Sequence, residues 1–306
     1  GSEMCIRDRP PSPFPSPHRG EGGGEGSSKL KRACVKEISK KKILTGSLLV
    51  PPTLFLIIIG PPAVLSLMVL LATFFGLREF YTLALPNSKA IERLVGIALG
   101  LILSFLVIHG DFKAILPFFV LLLLLLSLLS LAISQNLPST ISSLGILLFG
   151  ILYIGFLLPH VCLIRNTTDG TVWAPFLIVT VWAGDIFAFL SGSLLGKHKL
   201  YPKISPKKTY EGLAGAILGS ILVACVYASF FIPQLEVGVC ILLAIGLAVL
   251  GQVGDFTESM LKRSAQVKDS GSLIPGHGGM LDRIDSFLFS APFLYYSLLY
   301  LLKETS

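Results

Sequence analysis

Apolar positions along this chain come in long unbroken stretches divided by short polar segments. The stretch "ILPFFVLLLLLLSLLSLAIS", residues 115–134, shows the type: it holds no charged residue and no alternation of polar with apolar. A helix needs roughly 20 such residues to cross a hydrocarbon core of roughly 30 Å, whereas a membrane β-strand alternates over about ten. The pattern predicts an all-α, polytopic integral membrane protein with about nine transmembrane helices. They fall at 43–60, 62–80, 91–109, 113–135, 140–164, 171–195, 211–232, 237–260 and 284–302. Pro51, Pro52, Pro61 and Pro62 crowd the first pair and blur the boundary between them.

Composition agrees with this picture. The chain of 306 residues is 53% hydrophobic and 14% charged, with a mean hydropathy of +0.77. Soluble domains carry about a quarter charged residues. The formal charge of +7 suggests a nucleic-acid partner only until it is located. Residues 1–42 hold ten Lys/Arg against five Asp/Glu, so most of the excess lies in one segment, and no nucleic-acid function is expected. That segment is rich in Pro, Gly and Ser and reads as a disordered basic tail. Its "PSPFPSPHRGEGGGEG" is closer to translated intergenic sequence than to a domain, which leaves open whether residues 1–42 are native and whether the true start lies near Lys29 or later, and the membrane-embedded domain is expected over 43–306. Cys5, Cys34, Cys162, Cys225 and Cys240 form no CxxC pair, which points away from zinc and disulfides.

Basic residues in the short loops set the orientation. With "KKK" at 40–42 on the cytoplasmic side, alternation also places there Arg78, Lys89 and Arg93, then Lys197, Lys199, Lys203, Lys207 and Lys208, then Lys262, Arg263, Lys268 and Arg283. The opposite connections hold only Lys113 and Arg165 before Lys303.

Several carboxylates sit where a passive span would not place them. Asp185 lies within an apolar run, where an ionised side chain costs several kcal/mol unless paired or hydrated. Asp255 and Glu258 end the eighth span, and Asp282 and Asp285 open the ninth. Asp282 and Asp285 are three apart, so they share a helix face. Three carboxylates from Asp255, Asp282 and Asp285 could meet there, and they would repel one another unless a cation lay among them. Oxygen ligands suit Mg²⁺ or Mn²⁺. Asp282 taken alone fits a helix cap equally well. "KISPKKTYEG", 203–212, sets Lys207 and Lys208 just before a helix, a setting for phosphate. Gly276, Gly278 and Gly279 allow close backbone approach to a ligand, with His277 beside them as a phosphate contact or a structural hydrogen-bonder. "GSLLGKH" at 192–198 is one residue short of a P-loop and lacks its Ser/Thr.

The stretch "SMLKRSAQVKDSGSLIPGHGGMLDRID", Ser259 to Asp285, resembles the diagnostic segment of phosphatidate cytidylyltransferases, also called CDP-diacylglycerol synthases. Ser259, Lys262–Arg263, Lys268–Asp269, Gly271, Pro275, His277–Gly278–Gly279, Asp282–Arg283 and Asp285 carry the likeness. "SPKKTYEG" at 205–212 and "WAGDIFAFLSGSLLGKHKL" at 182–200 are similar to two further blocks. The resemblance implies that CTP and phosphatidic acid give CDP-diacylglycerol and pyrophosphate, with a divalent metal, in a bacterial inner membrane, by a homodimer. Asp255, Asp282 and Asp285 would hold metal. With them, Lys262 and Arg263 would be catalytic, and Lys207 and Lys208 would also neutralise phosphate. Ser205, Lys268, His277 and Arg283 would lie near phosphate, and Asp185 would be polar support or a ligand to a second cation.

Two rivals stand beside this reading. A related CTP-using membrane enzyme, such as a polyprenol kinase or a synthase of CDP-activated ether lipids, would share the chemistry. A kinase, however, releases CDP. An ion-coupled transporter would string ionisable residues through several spans, whereas here they gather at one face.

Overall fold

The computed structural model divides into a unit over Gly1–Ser47 and a main unit over Leu48–Ser306. The structure describes residues 60–85, 89–110, 112–133, 137–268, 270–271 and 278–302, all in the second unit. The tail, all but the last residue of the first expected span, and His277 lie outside the described residues.

The described residues are helical apart from one short hairpin. In order they are α1 (Pro62–Ala84), α2 (Ala90–Ile108), α3 (Phe112–Ile133), α4 (Leu137–Gly150), a π-helical turn (Ile151–Phe156), α5 (His160–Arg165) and α6 (Gly170–Leu194). Strands β1 (Lys199–Tyr201) and β2 (Ser205–Thr209) precede α7 (Tyr210–Phe231), α8 (Val237–Ser264) and α9 (Leu281–Ser297), which ends in a second π-helical segment, Leu298–Leu302. Among the described residues seven helical segments are long and apolar enough to cross a membrane, and α4, the π turn and α5 count together as one, Leu137–Arg165. The expected ninth span falls on helix α9, which is not among these seven: its α-helical part has 17 residues and its first turns carry Asp282, Arg283 and Asp285. Helices are the natural spanning element because they satisfy their own backbone groups where no water can. Large apolar side chains such as Leu116, Leu131 and Phe230 point outward from the bundle, as a lipid-facing surface requires.

Small residues set the spacing of the helices that carry polar groups. Gly215 and Gly219 of α7 lie against Ser191 and Phe187 of α6, leaving no room for a Cβ. Beside them the Ser220 hydroxyl donates to the Thr180 carbonyl at 2.9 Å. α8 packs on α9 in the same manner, with Gly254 against the Asp285 carbonyl. On the other side of the bundle α1, α2 and the π turn pack together; Ser104 donates to Gly155 O at 2.8 Å and Tyr81 to Leu147 O at 2.9 Å.

The segment between α6 and α7 departs from expectation. It is an antiparallel hairpin, pairing Lys199 with Thr209 and Tyr201 with Ser205, and Lys207 and Lys208 lie on strand β2. Thr209 caps α7 by accepting from Gly212 N at 3.1 Å. Glu211 closes the base of the hairpin by accepting from His198 N at 3.2 Å, and its Oε1 lies 2.7 Å from His198 Nδ1.

Candidate active site

The C-terminal ends of α6 and α8 and the N-terminal ends of α7 and α9 share one end of the bundle. Nine residues of α8 lie beyond Asp255, but only four of α9 precede Asp285. Because these residues meet, α9 begins about 7 Å short of the end of α8. This recess brings polar groups from both helices together below the hairpin.

Asp255, Glu258 and Asp285 form a close carboxylate group, each offering an oxygen within 4.8 Å of the others. Asp255 and Glu258 stand three apart on α8 and so share a face. Glu258 is 0% exposed and Asp285 9%. Glu258 Oε2 pairs with Lys262 Nζ, and apart from that ion pair neither Glu258 oxygen has a hydrogen-bond donor among the described residues. Asp285 Oδ1 accepts from Ser286 N at 2.8 Å. Asp185 extends the group, taking Gln252 Nε2 at 3.2 Å and the Ser286 hydroxyl at 3.4 Å. Among the described residues two ammonium groups, Lys208 and Lys262, form ion pairs with members of this group of five carboxylates, Asp185, Asp255, Glu258, Asp282 and Asp285. Partly buried carboxylates in such excess fit a hard cation held by oxygen.

Asp282, expected among the three metal-holding carboxylates, lies beside Glu258, and Lys262 pairs with both. Asp282 Oδ1 lies 2.6 Å from Lys262 Nζ, and its Oδ2 accepts from Ser270 N at 3.1 Å, Ser270 Oγ at 2.9 Å and Gly279 N at 2.9 Å. It therefore clasps the loop that leads into α9, while Glu258 joins Asp255 and Asp285 in the close group. The glycines serve the same clasp: Gly278 has φ +78°, and a Cβ there would come within 2.7 Å of Asp282 Oδ2.

The hairpin brings cations to the other side of the cluster. Lys208 Nζ lies 2.7 Å from Asp255 Oδ2 and 4.0 Å from the centroid of the Phe256 ring. A cavity of about 460 Å³ opens there, lined by Asp185, Asp255 and Gln252 on one side and Lys199, Lys207 and Lys208 on another. That volume lies in the range of small-molecule sites. Arg263 is turned away from it; its Nε donates to Ile204 O at 3.2 Å and one terminal nitrogen to Val267 O at 3.1 Å, bracing the hairpin turn on α8. Ser205 is half-buried at the start of β2 and is not among the cavity-lining residues. Lys268 and Arg283 are exposed, and neither lines the cavity. Ser259 donates to Asp255 Oδ1 at 3.3 Å.

Two participants were underweighted or missed in the sequence. Glu258 was legible from its spacing to Asp255 and Lys262. Glu79 of α1 gave no signal; its role emerges only in three dimensions and is taken up below.

The profile of the cytidylyltransferase family matches residues 40–301. The chain belongs to that family. It is similar to the phosphatidate cytidylyltransferase of Bacillus subtilis strain 168, with 37% identity over 273 residues, covering 85% of this chain and 97% of that protein. The phosphatidate cytidylyltransferase of Staphylococcus epidermidis RP62A is 46% identical over 130 residues, 42% of this chain and 50% of that protein. That of Staphylococcus haemolyticus is 42% identical over 147 residues, 48% and 56% respectively. The cytidylyltransferase family holds the whole described bundle, not the polar segments alone.

Proposed function

We propose that this chain transfers the cytidylyl group of CTP to phosphatidic acid, giving CDP-diacylglycerol and pyrophosphate. The observation that carries the reading is the cavity in which Lys207 and Lys208 face Asp185 and Asp255, directly beside the partly buried Asp255–Glu258–Asp285 cluster. The family and the relatives' names support it. The site would face the cytoplasm of a bacterial inner membrane, where soluble CTP meets a lipid, and the lysine-rich loops support that orientation. The homodimer implied by the resemblance belongs to the same proposal and is open to measurement of the mass in detergent.

The chemistry needs charge control more than a base. A phosphate oxygen of phosphatidic acid is already an anionic nucleophile. It attacks the α-phosphorus of CTP; the bond from that phosphorus to the bridging oxygen breaks, and pyrophosphate leaves with the electron pair. Lys207 and Lys208 would draw the two anions together and offset the charge that gathers between them. Lys262 holds Glu258 and Asp282 in place from below. Asp255, Glu258 and Asp285 would hold Mg²⁺ or Mn²⁺, with Asp185 reachable by a second cation. Such an ion, once bound, neutralises polyphosphate oxygens and orients the displacement.

The purified protein, given labelled CTP and phosphatidic acid, is expected to release pyrophosphate in step with a CDP-lipid. A chelator should abolish release and added Mg²⁺ should restore it. Release of CDP would mark a kinase and overturn the proposal.

A further inference from the structure

The start of α9 lacks a local cap. Its capping position is Met280, whose side chain accepts no hydrogen bond from the backbone there. The first amides of a helix must find acceptors elsewhere when buried. They find them on α1: Glu79 Oε1 accepts from Met280 N at 2.9 Å and Oε2 accepts from Leu281 N at 2.9 Å. The Ser270 hydroxyl lies 3.0 Å from Glu79 Oε2 and 2.9 Å from Asp282 Oδ2, so one proton is shared between two carboxylates. The backbone closes around this group. A Cβ on Gly271 would come within 2.6 Å of Glu79 Oε1, and one on Gly279 would collide with Ser270 Oγ and Glu79 Oε2. One carboxylate from a distant helix thus holds the segment after α8 and the first turn of α9 together.

We infer that Glu79 is a positioning residue for the cation site. It fixes the helix turn that carries Asp282 and, one turn on, Asp285, without itself joining the Asp255–Glu258–Asp285 cluster. The inference rests on the proposed reading of that cluster as a cation site. Partners that orient ligands in this way typically contribute roughly 10- to 100-fold to metal affinity or activity.

Glu79→Gln is the informative variant. It keeps shape and one acceptor oxygen, but it sets an amide donor against one of the two backbone N–H groups. The half-saturating Mg²⁺ concentration for turnover should rise roughly 10- to 100-fold, with most turnover returning at saturating metal. Mn²⁺ titration followed by electron paramagnetic resonance should show the same weakening. Hydrogen exchange should quicken at the amides of residues 280 and 281. Should Glu79→Ala fail to accumulate, the isosteric Gln variant still carries the test. An unchanged metal dependence would overturn the inference, as would an equal loss at every metal concentration with those amides still protected. If the wild-type protein makes no CDP-lipid, the proposed reaction falls, while Mn²⁺ binding and hydrogen exchange still decide the role of Glu79.

Discussion

Asp285→Asn is expected to leave a folded, membrane-inserted protein whose formation of CDP-diacylglycerol has dropped more than about 100-fold, since outer partners of a metal site alone account for roughly 10- to 100-fold. Asparagine has the shape of aspartate and keeps an oxygen for the Ser286 N–H, so the local fold survives. What is lost is one negative charge in a nearly buried position beside Asp255 and Glu258. Without a cation, like charges so close raise the energy of the folded state, and removing one relieves it. The variant should therefore be at least as resistant to thermal unfolding as the wild type in metal-free detergent. Mg²⁺ should raise the unfolding temperature of the wild type, because it binds only the folded state, and should barely move that of the variant. Turnover close to wild type would remove Asp285 from the cation site. Unfolding at a much lower temperature without metal would mean that its charge is paired rather than crowded.

The sequence revealed the plan of this fold more fully than the detail of its site. Long apolar runs announced the spans, because a bilayer demands one length and one chemistry, and α1 to α8 lie where those runs lie. The charged start of α9 fits the same logic, since Asp282 and Asp285 belong to the recess at the bundle's end. The hairpin stayed hidden: its strands are three and five residues long, and their lysines read equally well as a signal of membrane orientation. The pairing of Lys208 with Asp255 joined two motifs that the sequence had singled out separately. Helical spacing set Asp282 and Asp285 on one face but could not show that Lys262, Ser270 and Gly279 already occupy Asp282. Nor could any local pattern expose Glu79, a single acid near the end of α1 whose partners lie about two hundred positions along the chain. The glycines carry the same lesson. Gly278 and Gly279 were legible as sites of close approach to a ligand, but with Gly271 they make room for carboxylates of the protein itself.

Gly254→Ala should damage the site without touching any charged group, and Gly251→Ala, one turn earlier on α8, should not. A Cβ on Gly254 would run into the carbonyl oxygen of Asp285, and backbone cannot swing aside as a side-chain tip can. A Cβ on Gly251 would meet nothing nearer than Ser290 Oγ at 3.5 Å and Ser286 O at 3.6 Å, which is ordinary packing. Forcing an extra carbon into a closed interface costs about 1–3 kcal/mol, so Gly254→Ala should lower the unfolding temperature. Its effect on turnover should be larger, because Asp255 follows Gly254 directly and Asp285 is the residue pushed away. A displacement of about 1 Å in reacting or positioning groups can cost about 100-fold in rate. Parallel assays of the two variants separate this from a general loss of helix packing: Gly251→Ala should keep its rate and Gly254→Ala should lose about two orders of magnitude. Equal rates would show that α8 and α9 can part without disturbing the carboxylates. The cluster would then owe its geometry to something other than the closeness of these two helices.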